Sequence, residues 1–264
     1  MSLFSEMMYE FFSSTDAGQV RDNNEDAILV NEMARLAILA DGMGGSQAGE
    51  VASGMATALI SVRLGTWLAK RGAQASTTEA RGAIRASVER ANHGIFQAAS
   101  AHGEYKGMGT TLVVAVFRDA ELLLGHVGDS RAYRWRDGRL ARLTRDHSWL
   151  QSQIDAGLLS PREAINSPYK GVITRALGAE PEVELELQTL PLEDGDLFLL
   201  CSDGLTDMLD DDDLRLLLAQ GGSLPELGQR LMQQANERGG NDNISLILIQ
   251  AGAAPAPTAE SSAG

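Results

Sequence analysis

A single cysteine, Cys201, stands in 264 residues, so neither an internal disulfide nor a thiolate zinc knuckle can form. Histidine is almost as scarce: its four positions, 93, 102, 126 and 147, show no HExxH spacing. Both counts argue against a soft-metal centre. Apolar stretches such as LAILA and LFLLC fall far short of the roughly 20 residues of a membrane span. The N-terminus MSLFSEMMYE lacks the basic segment of a signal peptide, so a cytoplasmic protein with no membrane partner is expected. Cationic excess is missing too: 22 Lys and Arg face 36 Asp and Glu, a formal charge of -14, which excludes a nucleic-acid footprint. No CxxxxxR loop, GxSxG elbow or GxxxxGK[ST] loop occurs, so no covalent nucleophile is evident.

What is abundant is carboxylate, and it recurs in one setting. Asp41 ends ILAD, Asp203 follows LLCS, Asp129 follows LLGHVG, and Asp242 precedes the last apolar run. One Asp-Gly after a strand is ordinary turn chemistry. Four carboxylates at strand boundaries would gather at one rim of a sheet structure, where they repel each other unless cations neutralise them. Oxygen donors without imidazole or thiolate select Mg²⁺ or Mn²⁺. A glycine beside the aspartate leaves room for a backbone carbonyl to approach such an ion.

The periodicity is mixed. A strand around Phe11 and Phe12, then Asp26 to Asn31 and Ala34 to Ala40, precedes a helical spacing from Gln47 to about Lys70 through Val51, Met55, Leu59 and Val62. STTE at 76–79 opens a second helix with Ile84, Val88, Ala91 and Ile95 on one face. Leu112 to Phe117 and Leu122 to Val127, broken at Arg118-Asp119, read as a hairpin. Arg131 to Arg136 and Arg139 to Leu143, joined by Asp137-Gly138, read as another. This succession of antiparallel strands does not suit a doubly wound parallel sheet. Residues 146 to about 175 read as an inserted helix and loop segment. Strands return at Val183 to Gln188, Asp196 to Cys201 and Ile244 to Ile249, with helices at about 210–219 and 223–236, the second opened by SLPE. The expected organisation is one domain, 1–250, and a small-residue disordered tail, 251–264.

TDAGQVRDNNEDA, LADGMGGSQAGEVAS, GMGTT, HVGDSRAYR, LTRDHS, ITRALG, LCSDGLTD and GGNDNIS occur in this order from Thr15 to Ser245. Together they resemble the metal-dependent protein phosphatase family, protein phosphatase 2C, in its compact bacterial form. The resemblance implies an α+β fold, a four-layer α-β-β-α sandwich of two antiparallel sheets flanked by helices. It implies two Mn²⁺ or Mg²⁺ ions at one edge and room for a third. Asp41 would bridge the two ions, the Gly42 carbonyl would bind one, Asp203 and Asp242 the other, and Asp129 would join Asp203 at the third. Glu25 would hold metal-bound water, Asp26 would support that shell, and Arg21 would clamp the substrate phosphate. The implied reaction is attack of a metal-bridging hydroxide on phosphoserine or phosphothreonine. The partners would be phosphorylated proteins, including a bacterial Ser/Thr kinase and its substrates, met by a monomer with segment 146–175 as a flap.

The chain departs from the pattern where some relatives carry a histidine acid: Met43 follows Asp41-Gly42, and Ser46 ends DGMGGS. His126 reads as a packed core histidine, His147 as an anchor of the flap, His93 and His102 as solvated, and Cys201 as packing. Thr110, Thr111 and Ser130 read as polar strand residues outside the site, and Asn243 as a cap or an orienting partner of Asp242. Two other classes compete: a binding-only pseudophosphatase, which loss of an aspartate would favour, and a small-molecule phosphomonoesterase. No aspartate is lost, and a long flap suits protein loops.

Overall fold

The computed structural model describes residues 7–45, 48–118, 120–165 and 167–253. Three strands, β1 (Met7–Asp16), β2 (Asp26–Asn31) and β3 (Leu36–Met43), lead into two long helices, α1 (Ala48–Arg71) and α2 (Thr77–Ala101). A 3-10 turn at Gly103–Tyr105 precedes β4 (Gly109–Thr110), β5 (Leu112–Arg118), β6 (Glu121–Val127), β7 (Arg131–Arg136) and β8 (Arg139–Arg142). Two short helices, α3 (Trp149–Asp155) and α4 (Pro161–Ile165), occupy the insertion. The chain closes with β9 (Glu186–Pro191), β10 (Leu197–Cys201), α5 (Asp203–Thr206), α6 (Asp211–Ala219), α7 (Leu224–Glu237) and β11 (Ile244–Ala253).

The strands form two antiparallel sheets, ordered β1-β11-β10-β7-β8 and β2-β3-β5-β6-β9, with β4 paired to β3. Alternation of side chains across each strand builds three apolar layers from two sheets. On β5, Leu112, Val114 and Val116 pack toward α1 and α2, whereas Val113, Ala115 and Phe117 pack between the sheets. On β10, Phe198 and Leu200 join that inter-sheet layer, and Leu197, Leu199 and Cys201 face the layer with α6 and α7. Central strands are therefore apolar on both faces, which is why they read as unbroken runs. The α-β-β-α sandwich expected from the resemblance is the fold observed.

Local chemistry sets the element ends. Ser76 caps α2 and Ser223 caps α7, each in a reciprocal box with the glutamate three residues on, worth about 1 kcal/mol per cap. Asp210 does the same for α6 with Asp213. Asp137 and Gly138 both take positive φ, 50° and 73°, the type I′ geometry that matches strand twist between β7 and β8. The α1 helix has the length and apolarity to cross a membrane, yet Ala52, Ala56, Ile60 and Leu64 are fully buried in the layer it shares with α2 and the second sheet.

Three boundary differences follow from strand pairing. Strand β9 begins at Glu186 rather than Val183, because its register with β6 pairs Glu186 with His126 and Pro191 with Glu121. Strand β11 runs to Ala253, where it pairs with Met7, so 251–253 belong to the sheet and not to the tail. Residues 254–264, Ser46, Gln47 and Asp119 lie outside the described residues. Lastly, β3 continues past Asp41 through Gly42 and Met43, held by β4.

Candidate active site

The strand ends do converge. Arg21, Glu25, Asp41, Gly42, Asp129, Asp203 and Asp242 line one cleft of about 420 Å³ at the rim of the sandwich. Asp26 lies directly across from Asp41 in the β2–β3 register. Asp203 is the first residue of α5, a turn of helix that periodicity did not reveal. The Asp41 carbonyl accepts from Thr111 N–H and the Thr110 hydroxyl, each at 2.9 Å, and its N–H donates to Thr111 Oγ1 at 2.9 Å. Thr111 Oγ1 in turn meets Ser130 Oγ at 2.7 Å. Residues read from sequence as bystanders thus clamp the backbone of Asp41.

Gly42 shows why this turn is bare. A β-carbon there would lie 2.1 Å from the Gly49 carbonyl oxygen and 2.6 Å from that of Glu25, so strand and helix start could not approach. The Gly42 N–H donates to the Glu25 carbonyl at 3.1 Å, and the Ser53 hydroxyl donates to the same oxygen at 2.6 Å. Asn243 ties the segment to β11: its Oδ1 accepts from Glu25 N–H at 2.8 Å, and its Nδ2 donates to the Ala17 and Asn23 carbonyls. That role is wider than the cap expected from sequence.

The electrostatics are those of an anionic site lacking a counter-charge. Burial, then the Asp26 and Asp203 carboxylates, hold Asp41 well above the ordinary carboxylate range. Burial with Asp203 and Asp146 pushes Asp129 up to about 8, and burial with Asp207 and Asp242 pushes Asp203 up to about 6. Asp26 rises to about 7, mainly from burial, and its Oδ1 is buried with no hydrogen-bond partner while Oδ2 accepts from Ser202 at 2.8 Å. Buried carboxylates that repel each other, together with an orphaned oxygen, fit a site for hard cations. Of the cations nearby, Arg21 Nη2 donates to Asp242 Oδ2 at 2.7 Å at the exposed lip, and Lys170 Nζ stands 3.6 Å from Asp207 Oδ1 on the flap side. Sequence reasoning missed Lys170 and Asp207; a lysine within the insertion carries no motif signal.

A second group of donors, His126, His147 and Glu186, gathers within 4.8 Å. It is built as a strut. His126 Nε2 faces the Arg145 carbonyl at 2.9 Å and so carries its hydrogen, while His147 Nδ1 accepts from Gly128 N–H at 3.1 Å, leaving its hydrogen on Nε2 toward Glu186. Neither Nε2 keeps a lone pair for an ion, and Arg175 Nη1 lies 3.3 Å from that of His147. The stacked rings, 4.7 Å apart, join the end of β6 to the flap root, where Thr174 N–H donates to the His147 carbonyl. His126 is fully buried and Cys201 likewise, its thiol pushed up to about 12 by burial; His93 and His102 are exposed.

An oxygen-only cluster at the rim of this sandwich, flanked by a guanidinium, fits a hydrolase that draws on divalent cations. The family profile described as Protein phosphatase 2C matches residues 16–248. The serine/threonine phosphatase Stp of Listeria welshimeri is 36% identical over 239 residues, 89% of this chain and 93% of that protein. The crystal structure of the Mycobacterium tuberculosis serine/threonine phosphatase PstP/Ppp superposes with a TM-score of 0.84 at 36% identity, covering 92% of this chain and 98% of that one. The catalytic domain of PstP in complex with two manganese ions gives 0.81 at 35% identity, covering 93% and 99%. The chain belongs to the protein phosphatase 2C family of metal-dependent protein phosphatases.

Proposed function

We infer that the protein hydrolyses phosphoserine and phosphothreonine in proteins, a reading supported by relatives named serine/threonine phosphatases. The observation that carries this reading is the set of cleft-lining carboxylates, Asp41, Asp129 and Asp203, which form no ion pair among the described residues, beside Arg21 at an open lip. Asp41, the Gly42 carbonyl, Asp203 and Asp242 would hold two Mn²⁺ or Mg²⁺ ions, and Asp129 with Asp203 a third. When bound, such ions polarise phosphoryl oxygens and bring the pKa of water near neutrality.

The chain's own groups do the rest by position. Arg21 already reaches the lip through one Nη2 bond to Asp242, and its remaining N–H groups would take phosphoryl oxygens. Glu25, whose Oε1 accepts from Asn23 Nδ2 at 3.2 Å, presents a carboxylate to orient the attacking water. Asp26 supports that carboxylate's strand and faces Asp41. Because phosphoryl transfer rests on positioning and charge stabilisation, no covalent nucleophile is needed. With Met43 in the cleft and no histidine lining it among the described residues, the leaving oxygen takes its proton from solvent in the open cleft.

On this reading residues 146–175 form the substrate-facing flap of a single catalytic domain. The partners are phosphorylated proteins in the cytoplasm, among them a Ser/Thr kinase and its substrates, met by a monomer. The test is phosphate release from a phosphothreonine peptide with and without millimolar Mn²⁺, wild type beside Asp203→Asn. Release that needs Mn²⁺ and is lost in the variant is expected; no release from wild type at saturating Mn²⁺ would overturn the reading.

A further inference from the structure

The far end of α1 carries a surface of opposite character to the cleft. Between α1 and α2 lies a groove of about 390 Å³, walled by Trp67 on one side and by Ala83 and Ala86 on the other, and rimmed by Arg63, Lys70 and Arg71. At 1.5 Å rise per residue, Trp67 sits roughly 27 Å along the helix from Gly49 at the cleft. The three cations stand at i-4, i+3 and i+4 from the tryptophan, so all share its face.

Ordinary helix chemistry explains part of this. Lys70 and Arg71 fall in the last turn, where cations complement the helix dipole. Arg63, two turns earlier, gains nothing there. Among the described residues Arg63 and Lys70 form no ion pair, whereas Arg118, Arg131, Arg136, Arg142, Arg145 and Arg238 each do. Arg71 faces Glu79, whose Oε2 is already held by Ser76. In α1 the sole acid is Glu50, at the opposite end. A chain of charge -14 thus keeps Arg63 and Lys70, among the described residues, without an acidic partner beside a partly exposed indole.

We propose that this groove docks an acidic peptide segment of a protein partner, one large apolar side chain seated between Trp67 and the alanine wall and flanking carboxylates on Arg63, Lys70 and Arg71. An indole beside small residues gives the anchor a slot, and unpaired cations give the flanks their sign. A flat anionic membrane fits less well, because the rest of so acidic a chain would be repelled by it. The docking surface is independent of phosphate hydrolysis and stands whatever the cleft turns over.

The test uses the full chain and three unphosphorylated, fluorescently labelled peptides: a Glu-rich 12-mer with a central Phe, the same with Phe replaced by Ser, and the same with Glu replaced by Lys. Saturable binding of the first is expected, at least tenfold weaker for the other two. Charge reversal in the double variant R63E/K70E, at exposed positions that leave the fold and the turnover of a small phosphopeptide intact, should weaken the first peptide at least tenfold. Equal binding of the Phe and Ser peptides, or affinity unchanged in R63E/K70E, would overturn the proposal. So would tighter binding to phosphatidylserine vesicles than to the peptide. A wild-type dimer by sedimentation that R63E/K70E dissociates would overturn it in favour of a second copy of the chain as occupant.

Discussion

Two sets of aspartates divide this molecule. Asp146 takes Arg131 Nη2 at 2.8 Å and Arg142 beside it; Asp196, with no exposed surface, takes the Arg136 fork and the Glu193 N–H at 2.9 Å. Among the described residues Asp41, Asp129 and Asp203 form no ion pair, and burial with mutual repulsion raises their carboxyls. Partners separate the sets. In one, charge is cancelled within the chain and the aspartate holds loops and strands together. In the other, cancellation is left to a ligand, and the cleft is the part of the fold that its own sequence leaves electrostatically incomplete.

Removing one member of each set breaks the comparison most directly. Asp203→Asn should cut phosphate release at least about 10³-fold, the scale of losing a preorganised electrostatic group, while raising the metal-free thermal midpoint because one repelling carboxylate is gone. Asp196→Asn should do the reverse. It leaves Arg136 without half of its pair and lowers the unfolding free energy by about 3 kcal/mol, with release per folded molecule little changed. Denaturant melts and one peptide assay on both variants read this out. Equal destabilisation by the two substitutions would erase the distinction.

Titration sharpens it next. Asp129 at about 8, Asp26 at about 7 and Asp203 at about 6 keep protons in the folded, metal-free state that the unfolded chain, titrating near 3.8, has released. The folded state then binds more protons between about pH 4 and 8, so its stability falls as pH rises through that window. Added Mn²⁺ should reverse the slope, since it competes with those protons, and at 100 times its Kd it should add about 2.7 kcal/mol. Thermal melts from pH 5 to 8, with EDTA and with Mn²⁺, measure both slopes; parallel slopes would detach the carboxylates from metal binding.

The sequence exposed the cleft better than its scaffolding, for a physical reason. Asp41, Asp129, Asp203 and Asp242 stand out because acids after apolar strands are locally conspicuous, and the structure gathers all four. Thr111, Ser130 and Asn243 support them through contacts spanning 19 to 218 residues of chain, which no local pattern encodes. The α5 turn is shorter than a helical period can register, and the β9 start follows from pairing with β6 rather than from its own alternation. Thr111→Val tests that hidden layer. It removes the acceptor of the Asp41 N–H and the Ser130 contact, and should weaken Mn²⁺ by about 10–100-fold, as losses behind metal ligands do, with calorimetry as the readout.

The smallest expected effect concerns Lys170, the one cleft-lining cation that sequence did not mark. Its pair with Asp207 is exposed on both sides, 42% and 45%, so it contributes little to stability. Its place in the lining of the cleft that also holds Arg21 is what makes it a candidate for substrate contact. Lys170→Ala should therefore raise KM for a phosphopeptide by up to about tenfold, 1.4 kcal/mol, while leaving kcat and the thermal midpoint unchanged. An unchanged KM would confine recognition of the substrate's charge to Arg21 and to the bound cations, and make the Lys170–Asp207 contact a latch between flap and α5 region alone. A fall in kcat with KM constant would instead place the lysine at the reacting phosphoryl group, moving it from the rim of the comparison to its centre.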